Sequence, residues 1–189
     1  ITIASGEISE SKMNELQEQY IYYEPLAGGG CIAIEGQEYR SILKYVDKDG
    51  NTSTIADDIG FSDVVNISVS PNGSRVAYTA LQEGSEDLGL FVYDFKASES
   101  RRLTDIKSED LADDFNFLLS WSPKDDYLAV KGNQIYDAAT GTLKAELSAS
   151  YLRWSPSGSK IAFIPEESFE GWAGKKVCIF DVYSGSTEE

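Results

Sequence analysis

The sequence contains no histidine. That absence excludes Ser-His-Asp and Cys-His catalysis and every site that depends on an imidazole. Only two cysteines occur in 189 residues, Cys31 and Cys178. They are 147 positions apart, so a zinc site built from them and from carboxylates would be a poor one. Each lies inside an apolar strand pattern, Cys-Ile-Ala-Ile and Lys-Lys-Val-Cys-Ile-Phe, which is the setting of a buried free thiol, with a disulfide between them as the alternative. No apolar run approaches the roughly 20 residues of a membrane helix, so nothing in the sequence reads as a span. Bases are scarce. Sixteen Lys and Arg stand against 32 Asp and Glu, for a net charge of −16. Such a chain repels phosphate backbones, which argues against nucleic acid as a partner. It would attract basic protein surfaces and, weakly, cations. No cofactor is implied.

Proline is also sparse, and three of the five prolines recur in one setting. The segments 68–78 (Ser-Val-Ser-Pro-Asn-Gly-Ser-Arg-Val-Ala-Tyr), 120–130 (Ser-Trp-Ser-Pro-Lys-Asp-Asp-Tyr-Leu-Ala-Val) and 153–163 (Arg-Trp-Ser-Pro-Ser-Gly-Ser-Lys-Ile-Ala-Phe) align. Each reads as a strand, a Ser-Pro turn and an apolar alternating strand with Ala at its centre. Proline presets φ for the turn, and the Gly that follows in two of the copies tolerates positive φ. The small central Ala predicts close sheet-on-sheet packing. A third strand ending in aspartate follows each copy, at Asp94, Asp137 and Asp181. A fourth strand comes next, clearest over 101–104 and 143–147. In the last copy only 186–189 are left for it. A degenerate copy precedes these, with strands expected over 19–24, 31–35, 42–47 and 52–55 and an Asp49-Gly50 hairpin turn.

Four units of this length fit the propeller-blade range, and a four-stranded sheet with two apolar faces must stack on others. The expected organisation is an N-terminal strand and linker over 1–18, then blades at about 19–58, 64–105, 115–148 and 150–189. The fold class is all-β: a β-propeller of about four four-stranded blades, either part of a larger propeller or a four-bladed ring. Ile1 to Ala4 would supply the missing outer strand of the last blade in a closed ring. Residues 5–18, with Met13, Leu16 and Tyr20 at helical spacing, predict a short helix or linker. Trp121 and Trp154 precede Ser-Pro in phase and are expected in the core.

The pattern Ser-Pro-x-Gly-x-x-Φ-Ala-Φ, then Φ-Tyr-Asp and Gly, resembles the blade motif of the TolB and prolyl oligopeptidase propeller families. It covers roughly residues 19–189. The Gly-His and Trp-Asp signatures of WD repeats are missing. The resemblance implies a propeller module and, through TolB-like proteins, a cell-envelope location. The sequence starts at Ile1 in place of Met, so either a leader has been removed or the chain has been trimmed, the first of which would fit an extracytoplasmic location.

Blade topology sorts the loops onto two ends. One end collects 14 of the 32 acids against a single base, Lys107. They include Asp57, Asp58, Asp63, Asp105 and Glu109, and the candidate binding residues Glu83, Glu86, Asp87, Asp110, Asp113, Asp114, Glu166, Glu167 and Glu170. The segment from Pro165 to Gly174 adds Phe169 and Trp172, aromatics in an acidic, glycine-flanked insertion suited to anchoring a partner. The opposite end mixes signs, with Lys48, Lys96 and Lys124 beside Asp47, Asp49, Asp125 and Asp126. Asp47 to Asn51 has some calcium-loop composition but lacks the bidentate Glu at the twelfth position, so a hairpin turn is expected there. Asp94, Asp137 and Asp181 recur in phase, which predicts a repeated structural hydrogen bond. No catalytic residue and no metal ligand is nominated. The expected function is a non-catalytic binding or scaffold module that recognises a protein partner through its acidic end. The alternatives are the accessory propeller of a prolyl oligopeptidase-like peptidase and a carboxylate-based carbohydrate-active enzyme.

Overall fold

The computed structural model describes residues 20–37, 40–59, 67–81, 88–106, 119–130, 133–165 and 176–189. All of this is strand, turn or irregular backbone, and no helix occurs among the described residues. The first sheet holds β1 (Tyr22–Pro25), β2 (Cys31–Gly36), β3 (Ser41–Val46) and β4 (Thr52–Ala56). The second holds β5 (Ile67–Val69), β6 (Arg75–Leu81), β7 (Leu88–Asp94) and β8 (Glu99–Ile106). The third holds β9 (Leu119–Trp121), β10 (Tyr127–Val130), β11 (Gln134–Asp137) and β12 (Leu143–Glu146). The fourth holds β13 (Ala149–Trp154), β14 (Lys160–Pro165), β15 (Cys178–Asp181) and β16 (Thr187–Glu188). Every sheet is an open antiparallel meander in chain order, the architecture of a propeller blade. The chain divides into two units, Ile1–Asp113 with the first two sheets and Asp114–Glu189 with the last two. The strands expected over 1–4 and the helix or linker over 5–18 lie outside the described residues.

The Ser-Pro turns explain why the second strand starts where it does. The Ser70 N–H donates to the Arg75 carbonyl, and Ser70 Oγ accepts the Arg75 N–H at 3.1 Å. Ser122 and Ser155 repeat this on Tyr127 and Lys160, each with Oγ 3.0 Å from the acceptor strand's first nitrogen. The hydroxyl thus satisfies a donor that the ladder alone would leave over. The third residue after each serine is left-handed: Gly73 at φ +71°, Asp125 at +61° and Gly158 at +71°. Expected Gly–φ pairing therefore holds in two copies, while the third tolerates Asp, one of the few residues that visit this region.

Alternation then decides packing. In the first unit Ile32, Ile34 and Leu43 of one sheet pack against Val76, Tyr78 and Ala80 of the next. In the second unit Tyr127, Ala129 and Ile135 pack against Leu152, Ile161, Phe163, Cys178 and Phe180. Side chains such as Ile32, Leu43, Ile135 and Ile161 are fully enclosed, each worth about 1.5–3 kcal/mol of burial. The turns meet as well. A Cβ on Gly73 would lie 3.1 Å from the Ala27 nitrogen, and one on Gly158 would lie 3.6 Å from Pro123 Cδ. The turn glycine of one blade therefore rests on the preceding blade's turn in both units.

Both cysteines are free and buried, and enclosure pushes the Cys31 thiol up to about 11. Trp121 is core, but Trp154 is only partly buried. Its Nε1 donates to the Ser120 carbonyl at 3.2 Å, so it borders the seam between the third and fourth sheets, where an indole can keep its donor partnered. Strand β1 runs later than expected, to Pro25, and Asp105 belongs to β8, not to the loop beyond it.

Candidate functional site

Each blade has a turn end, with the first-to-second and third-to-fourth turns, and a loop end from which the other connections leave. At the turn end the repeated aspartates do structural work. Asp94 Oδ1 accepts the N–H groups of Lys96 (2.9 Å) and Ala97 (3.1 Å). Asp137 Oδ1 accepts those of Ala139 (3.0 Å) and Thr140 (2.8 Å). Asp181 Oδ1 accepts those of Tyr183 (3.0 Å) and Ser184 (2.9 Å). The sequence expectation of a repeated structural hydrogen bond holds. Asp47 is spent likewise: Oδ1 accepts from Asp49 and Asn51 nitrogens and Oδ2 from the Asn51 amide, all at 2.8 Å. It forms a hairpin turn.

These bonds favour the ionised carboxylate. The Asn51 side-chain amide leads in holding Asp47 low, and the Ser184 N–H leads for Asp181. Burial pushes Asp94 and Asp137 up, but their backbone donors, with Arg75 for Asp94 and the Thr140 hydroxyl for Asp137, outweigh it and leave both below the usual range. Arg75 Nε sits 3.1 Å from Asp94 Oδ2 directly across the ladder. Lys160 faces Asp181 in the same register, whereas Tyr127 takes that place opposite Asp137.

Tyr127 belongs instead to an aromatic group. Its ring lies 6.4 Å from Trp154, nearly parallel, and 6.3 Å from Tyr183, edge-on. Tyr183 is 63% exposed on a turn fixed by Asp181. The sequence reading passed over this residue, whose only signal was an aromatic placed two positions after the turn aspartate. It also passed over Tyr22 and Glu24, neighbours on one side of β1. Tyr22 Oη donates to Glu24 Oε2 at 3.1 Å. Burial first, then the adjacent carboxylate, pushes Tyr22 up to about 12, and burial raises Glu24.

At the loop end, Lys44 pairs with Glu35, Gln37 Nε2 reaches Glu35 Oε1 at 3.5 Å, and Arg40 Nε donates to Gln37 Oε1 at 3.0 Å. Asp105 is ion-paired with Arg102 within β8. Asp57 is exposed and Asp58 half-buried. The nominated binding residues Glu83, Glu86, Asp87, Asp110, Asp113, Asp114, Glu166, Glu167, Phe169, Glu170 and Trp172 lie outside the described residues. The strand ends that bracket them do not: Leu81 and Leu88 face each other at the ladder's end remote from the Ser-Pro turn. Phe163 and Cys178 are the last pair before the segment that holds Glu166 to Trp172. Among the described residues no group of three or more Cys, Asp or Glu side chains could hold a metal ion, and no helix is long and apolar enough to cross a membrane.

No protein-family model and no curated protein matches the sequence. Solved structures do. The β-propeller domain of the Trilobed protease from Pyrococcus furiosus is 14% identical, with 89% of this chain aligned to 56% of that one at a TM-score of 0.56. TolB from Acinetobacter baumannii is 19% identical, over 85% of this chain and 40% of that one, at a TM-score of 0.43. An acylaminoacyl peptidase from Pyrococcus horikoshii is 12% identical, over 84% and 30%, at 0.49. The chain thus spans about a third to just over half of these proteins. The likeness shows the β-propeller fold.

Proposed function

We propose that this propeller module is a non-catalytic binding or scaffold unit that recognises a basic protein surface through the loop end of its blades. The observation that supports this reading most is the division of labour between the two ends. At the turn end, the recurring carboxylates of Asp47, Asp94, Asp137 and Asp181 are engaged by backbone donors of their own turns. The sequence places further acids in the connecting segments of the other end, among them Glu83, Glu86, Asp87, Asp110, Asp113, Asp114, Glu166, Glu167 and Glu170. A predominantly acidic end on a chain of net charge −16 speeds encounter with basic partners and fixes their orientation. Phe169 and Trp172 would supply the apolar anchor that charge alone lacks. The location we assign is extracytoplasmic, on the resemblance of the blade motif to TolB-like proteins.

The test uses the triple variant Glu166→Lys, Glu167→Lys, Glu170→Lys. Wild-type protein immobilised against an envelope extract should retain a discrete partner that 0.5 M NaCl releases. The variant should retain at least tenfold less, with a weaker salt dependence. Equal retention by both would reject the loop end as the recognition surface. Fractionation of the source cells tests the location independently.

A further inference from the structure

We infer that Asn72 is a deamidation site that the folded Ser-Pro turn of the second blade holds closed, so that opening of the turn exposes it to irreversible modification. Glycine has no side chain to shield its amide nitrogen and its backbone swings freely, so an asparagine before glycine is the one most open to attack by that nitrogen. The pair occurs once in the sequence, at Asn72-Gly73. The same place in the turn holds Lys124-Asp125 in the third blade and Ser157-Gly158 in the fourth, neither of which carries an amide side chain. The reaction needs only water. The Gly73 nitrogen gives up its proton to solvent and attacks Asn72 Cγ. A nitrogen–carbon bond forms, the bond from Cγ to the side-chain nitrogen breaks, and ammonia leaves with the proton. Water then opens the five-membered imide at either carbonyl, giving aspartate or isoaspartate. Asn72 is exposed, so water and base reach it.

The fold opposes each part of this reaction. The Gly73 N–H donates to the Ser70 carbonyl at 2.8 Å, so the nucleophile is held with its proton on an acceptor. Asn72 Oδ1 accepts the Ser74 N–H at 2.7 Å and the Ser70 hydroxyl at 3.1 Å, which pins the carboxamide over the turn. Ser70 is itself 2% exposed, and its hydroxyl also accepts the Arg75 N–H, so the anchor is fixed from both sides. The bond from Gly73 back to Ser70, with proline second and no positive φ at Asn72, makes residues 70–73 a type I turn. Ring closure requires the Asn72 ψ to rotate out of that turn, which breaks the bond between Gly73 and Ser70. Modification therefore follows opening of the turn and not its resting geometry. The isoaspartate product cannot return. It adds one carbon to the backbone between positions 72 and 73, where the chain is tightest: even a Cβ on Gly73 would stand 3.1 Å from the Ala27 nitrogen. A lengthened turn cannot keep both the Ser70 bond to Arg75 and the seat on Ala27.

The test follows the exchange of amide for acid at position 72 by peptide mass spectrometry. The protein is incubated at pH 8 in its folded state and in guanidinium chloride strong enough to unfold it, with Asn51-Thr52 as the internal reference for a pair without glycine. Deamidation at Asn72 is expected to be at least tenfold slower in the folded protein. Ser70→Ala should raise the folded rate at least threefold and leave the unfolded rate unchanged. Equal rates in the folded and unfolded wild-type chain would overturn the inference, as would a folded Ser70→Ala protein that deamidates no faster than wild type. A second measurement needs no folded variant of Ser70. Refolded protein carrying isoaspartate at position 72 should melt below wild type, whereas Asn72→Asp, with the same charge on an ordinary backbone, should melt close to it. An isoaspartate pool that melts with wild type would overturn the irreversible step.

Discussion

Ser98 is held at φ +54°, in the turn where Gly141 and Gly185 hold +73° and +71°. All three donate their N–H at 2.8 Å to the carbonyl of the aspartate four residues earlier, so the turn geometry is the same. A side chain in this region costs about 1–2 kcal/mol, against roughly 0.5–1 kcal/mol of extra unfolded-state entropy for glycine. Ser98→Gly is therefore expected to stabilise the protein by about 0.5 kcal/mol, read as a raised urea midpoint at unchanged slope. A lowered midpoint would mean that the serine makes a compensating contact. At this scale the sequence was highly legible. Serine before proline, glycine after it and aspartate closing the third strand all act within five residues of themselves, and local chemistry needs no knowledge of the fold. Asp125 marks the limit, because aspartate tolerates a left-handed backbone without demanding it, and only its phase with Gly73 and Gly158 points to one there.

The third-to-fourth turns after Asp94, Asp137 and Asp181 are one device used three times, the turn after Asp47 is one residue shorter, and in all four the aspartate is held low by its turn. For Asp94, burial raises the pKa, but the Ala97 and Lys96 N–H groups and Arg75 lower it further, so its folded value lies below that of the unfolded chain. A depressed carboxylate contributes stability that is complete above its unfolded pKa of about 3.9 and is lost as pH falls through the folded value. Asp94→Asn keeps an oxygen for the turn and loses the charge on Arg75. At pH 7 the variant should be less stable than wild type by about 0.5 kcal/mol, the worth of a half-exposed pair. Thermal melts from pH 7 to pH 2.5 should show the gap closing below about pH 4. A gap that persisted at pH 2.5 would mean the loss comes from turn geometry and not from charge. Where a turn signal is present the start of the strand was legible, as in β6 and β14, but both strands run past the 68–78 and 153–163 repeats, to Leu81 and Pro165. Boundaries were misjudged where such a signal failed. β1 lacks a Ser-Pro turn and begins late, and β8 continues past Thr104 to Ile106, where Asp105 and Ile106 stand opposite Gly89 and Leu88 of β7.

At the scale of the whole molecule, charge and repetition answer different questions. Repetition carried the fold, since stacking rows such as Ala129 against Ile161 and Phe163 follow once blades are assumed to stack. The candidate site was legible only as charge, because segments such as 82–87 and 107–118 have neither alternation nor turn signatures to fix where their side chains go. Charge nevertheless has a global consequence. With 32 acids and 16 bases, self-repulsion opposes compactness at low salt. The Debye length falls from about 30 Å at 0.01 M to about 8 Å at 0.15 M. Screening over that range should weaken long-range repulsion more than contacts such as Arg75–Asp94 at 3.1 Å. The melting temperature is therefore expected to rise by a few degrees as NaCl goes from 0.01 M to 0.15 M, measured at constant pH 7. The triple charge reversal at Glu166, Glu167 and Glu170 lowers the net charge from −16 to about −10 and should flatten that rise, as repulsion between like charges requires. A fall in melting temperature with salt would show instead that the short-range pairs outweigh the net charge, and would remove the physical basis for a loop end that acts through its field.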